Sequence, residues 1–126
     1  MPYEFSIQEH HDHLRVEISG ERIAGAEEED AIGVWSEVAK ACEARELHRV
    51  LCILKVLGRL PATAAYAIGF DPGRFGWSKD LQLALVNVEV ESRQDVLYLE
   101  DVVVSSGYQM RVFDSEKKAR KWLLGS

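Results

Sequence analysis

The chain is predicted to be an α/β domain built on a largely parallel sheet covered by helices. From Leu81 to Leu124 an aliphatic strand, an amphipathic helix, a second strand and a terminal helix follow one another with almost no connecting loop. That alternation is the pattern of parallel strands joined by helical crossovers. Upstream, Val50 to Leu57 reads VLCILKVL, nearly continuous in β-branched and aliphatic residues, as expected of a central strand covered on both faces.

The other elements follow from periodicity. Tyr3, Phe5 and Ile7 alternate with polar residues, as do Leu14, Val16 and Ile18, so each run is a strand with one buried face, and a hairpin turning near Asp12 joins them. After Gly20 and Gly25, the acids Glu27, Glu28, Glu29 and Asp30 open a segment whose apolar residues Ala31, Trp35, Val38, Ala39 and Cys42 recur at helical spacing. Acids at that end meet the positive pole of the helix, which accounts for the charge run without a ligand. Pro61 introduces a short helix over Ala62 to Ile68, and the following GFDPGRFGWSKD combines turn residues with three aromatics. Leu81 to Val90 is the next strand, and a helix from about Ser92 to Ser106 buries Val96, Leu99, Val102 and Val103. Gly107 closes that helix by adopting positive φ. Gln109 to Phe113 is the last strand, Asp114 or Ser115 caps the terminal helix, and Ala119, Trp122 and Leu123 dock it on the sheet. The order is β-β-α-β-α-β-α-β-α, with right-handed crossovers between parallel strands.

At 126 residues and 47% hydrophobic, the chain forms one domain, residues 1–126, with a substantial core. Charged residues make up 29% with a net charge of −6, a balance that repels phosphate backbones and argues against a nucleic-acid partner. Cys42 and Cys52 lie in apolar surroundings without CxxC spacing, which reads as two core thiols in a reducing compartment. MPYEFSIQ lacks a basic region followed by an apolar run, and no apolar stretch is long enough for an integral membrane segment. A cytoplasmic location is expected.

The segment LQLALVNVEVESRQDVLYLEDVVVSSGYQMRVFDSEKKARKWL resembles the SpoIIAA-like, STAS-related proteins: an aliphatic strand, an acidic helix, a short strand ending in Phe113, and a helix closing on Ala119, Trp122 and Leu123. The strand pair ending in Ile18, Ser19 and Gly20 before an acidic helix is similar too. The resemblance implies a mixed, mostly parallel four- to five-stranded sheet with helices mainly on one face, in a group of small bacterial proteins. True STAS domains act as regulatory partners of kinases or transporters, and the related fold holds lipids or nucleotides. One departure matters. The anti-sigma-antagonist branch carries a phosphorylated serine, usually in an Asp-Ser pair, at a helix start after the central strand. Here that stretch reads KVLGRLPATA, where Thr63 is the nearest hydroxyl.

Among candidate chemistries, Glu9, His10, His11, Asp12 and His13 have the donor types of a zinc or nickel site. A hairpin tip is polar because it is exposed, however, and no metal is expected. The serines form no G-x-S-x-G elbow, the glycines no dinucleotide or Walker loop; no catalytic residue and no cofactor is assigned. The better candidate is the segment 58–80, which follows the central strand where ligands of open α/β sheets bind. Arg59 and Arg74 suit an anionic head group, and Tyr66, Phe70, Phe75 and Trp77 suit an apolar wall. The expected function is that of a non-enzymatic regulatory or binding module, a homodimer acting through a partner protein or a lipid-like, amphiphilic small molecule. The alternative is a small enzyme acting on an anionic substrate in the same crevice.

Overall fold

The computed structural model describes residues 3–125. These form five strands, β1 (Tyr3–Glu9), β2 (Leu14–Glu21), β3 (Arg49–Leu57), β4 (Gln82–Asn87) and β5 (Gln109–Phe113), and four helices, α1 (Glu27–Arg45), α2 (Ala62–Gly69), α3 (Arg93–Ser105) and α4 (Glu116–Leu124). The sheet is mixed, in the order β1-β2-β3-β4-β5. β1 runs antiparallel to β2, and every later pair is parallel.

β3 explains its own composition. Val50, Cys52, Leu54 and Val56 enter the larger core with Val34 and Val38 of α1 and Val96 of α3. Leu51 and Ile53 point the other way, into a second core with Ala84, Val86 and the α4 residues Ala119 and Leu123. A period of two in a strand apolar at nearly every position therefore feeds two layers. α1 and α3 cover one face of the sheet and α4 the other. α4 packs on β3, β4 and β5 and touches β2 through the Glu116 carboxylate, while the outer face of β1 and β2 carries polar side chains. There the Arg15 guanidinium bonds Glu17 at 2.9 Å and Glu116 at 3.1 Å, while Lys55 bonds the other oxygen of Glu17 at 2.6 Å.

The helix ends follow local rules. Ser115 accepts from the Lys118 N–H at 3.2 Å, which settles the cap of α4. Gly107 takes φ of 92° after α3, as its place at a helix end requires. β4 stops at Asn87, short of Val90: β5 ends opposite Val86, and after the Val88 N–H donates to the Leu54 carbonyl at 3.0 Å the chain leaves β3 for the 3₁₀ turn Val90–Ser92, although β3 itself runs on to Leu57. Val88 and Val90 lie past the paired residues and are exposed. Among the described residues no helix is long and apolar enough to cross a membrane.

Candidate functional site

α2 holds the key to the interior. This helix of eight residues packs chiefly on α3 and also on α1, with Leu60, Ala65 and Ile68 in a small cluster against Ala31, Ala64 and Leu99. Gly69 permits the closest approach: a β-carbon there would stand 3.1 Å from side-chain atoms of Leu99, Val102 and Val103 at once. A short helix riding on its neighbours leaves space beneath it. Two voids occupy that space.

The first, about 50 Å³, lies under the 3₁₀ turn Pro72–Phe75 and is walled chiefly by Trp35, Phe75, Trp77, Leu83, Leu99 and Met110. The second, about 40 Å³, extends toward the carboxyl ends of β2 and β3. The two share Trp35, Ile68, Leu85 and Leu99 as walls. Each has room for little more than one water, and the walls of the first are almost wholly apolar.

The second void has a polar end, formed by Tyr3, Arg22 and Glu27. Arg22 follows β2, and its Nη1 donates to the carbonyl of Gly58 at 2.7 Å, just past the end of β3. A φ of 96° at Gly58 turns the chain there. Glu27 is buried and accepts from the Gly25 N–H at 2.8 Å. Burial lowers the pKa of the Arg22 guanidinium and raises that of the Tyr3 phenol. A neutral phenol and a guanidinium offer donors to an anion, with the Glu27 carboxylate beside them as the opposing charge, and neither donor is tuned to shuttle protons near neutral pH.

The six residues singled out in the segment 58–80 separate into three places. Phe75 and Trp77 line the first void. Tyr66 and Phe70 stack on each other outside α2, 5.7 Å between centroids, and both are exposed. The Arg74 guanidinium sits 5.0 Å from the Phe70 ring, donates to the Ala67 carbonyl and approaches Glu28 at 3.6 Å. Arg59 lies before the other end of α2, where Nε and Nη2 grip the two oxygens of Asp95 at 2.8 and 3.0 Å. α2 rises about 12 Å over its length, so the two arginines do not converge on one anion. Sequence reasoning missed Arg22, Tyr3 and Trp35. The signal for Arg22 was its position one residue past a strand, at the carboxyl edge where α/β sheets bind ligands.

At the hairpin, His13 is buried, bonds Asp12 through Nδ1 at 2.7 Å and stacks on His10 at 4.6 Å. His11 lies 3.9 Å from the other carboxylate oxygen. Among the described residues no group of three His, Cys, Asp or Glu side chains is placed to hold a metal ion.

The fold is an open α/β sheet domain in which the second void ends at the half-buried guanidinium of Arg22. No protein-family model matches the chain, and no curated protein matches it.

Proposed function

We propose that this chain is a SpoIIAA-like, non-enzymatic binding module for a small amphiphile, whose apolar tail occupies the voids under α2 and whose anionic head group meets Arg22 and Tyr3. The observation that carries the reading is that two mainly apolar voids share walls, and that the second ends at the half-buried guanidinium of Arg22. The element order and the placement of α1 to α3 support the family resemblance, and the apolar lining supports binding over catalysis. The voids as they stand hold only a few carbon atoms, so a longer tail requires α2 and the Pro72–Phe75 turn to lift from the sheet. α2 suits that movement in being short and in beginning after Pro61 without a side-chain cap, with its close contact to α3 at Gly69 as the point about which it turns.

The test is titration with dodecanoate, followed by calorimetry and by the fluorescence of Trp35 and Trp77, with dodecanol as the uncharged comparison. Binding of dodecanoate that weakens about tenfold in Arg22→Met, with dodecanol unaffected by the substitution, is the expected result; a guanidinium–carboxylate bond of ordinary strength accounts for that factor. Absence of binding, or equal affinities in both proteins, refutes the reading. A second reading, a protein partner, draws on the exposed Tyr66–Phe70 stack with Arg74 beside it, since aromatic and arginine side chains are enriched at protein contacts.

A further inference from the structure

The sheet treats its two edges differently. At the β5 edge the Glu100 carboxylate, carried by α3, accepts from the Val112 N–H at 2.6 Å, so a side chain already occupies an amide that an incoming strand would need. β1 has no such protection. Tyr3–Glu9 reads YEFSIQE, with Glu4 and Glu9 as its charges and without lysine, arginine, proline or glycine, and pairs with β2 residue for residue without a bulge. Among the described residues nothing pairs with its outer side. Phe5 and Ile7 on this strand are only half-buried. Edges of this length are ordinarily blunted by charge, proline, bulges or a covering segment.

We infer that β1 pairs with β1 of a second copy of this chain, antiparallel about a two-fold axis through Ser6, giving one continuous sheet. The sequence of the strand selects this occupant. A two-fold perpendicular to the sheet keeps like faces together only in registers that oppose residues of the same parity. Centring on Ser6 pairs the whole strand: Tyr3 opposes Glu9 of the second copy, Glu4 opposes Gln8, Phe5 opposes Ile7, and Ser6 opposes itself. Aromatic meets aliphatic on the face that α1 covers, a carboxylate meets an amide on the polar face, and no like charges are opposed, which is the pattern that stabilises neighbouring strands. Shifting the axis to Phe5 or Ile7 leaves residues at one end unpaired. The pairing also brings Glu9 of the second copy beside Tyr3, which lines the polar end of the second void.

Gln8 tests the register, because it is exposed and its replacement leaves the fold intact. Gln8→Glu sets a carboxylate against Glu4 twice per dimer, and Gln8→Lys sets an ammonium there twice. From the usual worth of cross-strand pairs, the dimer dissociation constant rises roughly two- to thirtyfold in the first and falls by a similar factor in the second. Sedimentation equilibrium over a concentration series reads both, and hydrogen exchange shows β1 amides gaining protection as the dimer forms. A chain that stays monomeric up to about 1 mM, or a dimer indifferent to both substitutions, overturns the inference.

Discussion

The indole Nε1 of Trp77 donates to the backbone carbonyl of Trp35 at 3.1 Å, and the two rings meet edge to face at 5.7 Å with an interplanar angle of 67°. One contact thus ties the loop before β4 to the middle of α1 and forms a wall of the first void. Trp77→Ala should cost about 3–5 kcal/mol, the range for a large aromatic removed from a core. Trp77→Phe keeps a ring but loses the hydrogen bond, worth about 1 kcal/mol in itself. Urea unfolding of the two variants should rank them in that order; equal losses would mean that the ring kept by phenylalanine contributes nothing and that the indole groups lost in both account for the whole effect.

Much of this fold was legible from apolar periodicity. VLCILKVL announced two covered faces, and Leu51 and Ile53 do face α4 while their neighbours face α1 and α3. The end of β4 was not legible, because Val88 and Val90 continue a strand-like pattern, while the pairing ends where β5 stops and the chain turns into the 3₁₀ turn Val90–Ser92. The candidate site was legible in part. Phe75 and Trp77 turned inward because the Pro72–Phe75 turn folds them under α2, whereas Tyr66 and Phe70 sit on the outward face of the same helix. Which face of a short helix is buried depends on what it rides on, and composition does not carry that. Arg59 and Arg74 were chosen for their charge, and each turned out to have a carboxylate beside it.

Asp95 gives the fold a dependence on pH. Its side chain is largely buried, its Oδ2 accepts from the Leu60 N–H at 2.8 Å as well as from Arg59, and these bonds hold the carboxyl below the usual aspartate range. A carboxylate with a depressed folded pKa contributes stability that is complete above the ordinary unfolded value, about 3.9, and is lost as pH falls through the folded one. Asp95→Asn should therefore be less stable than the parent at pH 7, and the two stability curves should converge as pH falls below the ordinary aspartate value. Glu116, lowered by its bonds to Arg15, leaves a residual acid dependence in the variant. Parallel curves across that interval would remove Asp95 from the account.

The thiols should be silent in the folded protein. Burial pushes the Cys42 thiol up to about 11 and the Cys52 thiol higher still, so the reactive thiolate is scarce at pH 8. Cys42 borders an open groove of about 480 Å³ near Glu43, His48 and Asp80, whereas Cys52 is enclosed in the central strand. Labelling with a maleimide should track global unfolding in urea for Cys52, with Cys42 reacting at the same or a lower denaturant concentration. Rapid native labelling of Cys52 would contradict the packing of β3.

Filling a void separates a binding compartment from a mere packing defect. Val34 is fully buried on α1 and lines the second void, so Val34→Ile places one extra carbon where there is none. A void of about 40 Å³ costs about 1 kcal/mol at the usual rate per volume, and the substitution should recover roughly half of that in thermal or urea unfolding. The same carbon stands in the path of a tail reaching Arg22, so dodecanoate should bind several-fold more weakly to the more stable protein. Opposite signs for stability and affinity are what a compartment kept open for a ligand requires. A gain in stability with unchanged affinity would place the tail elsewhere, and a loss of stability would mean that Ile18, Leu54 and Val96, which wall the void beside Val34, leave the added carbon no room.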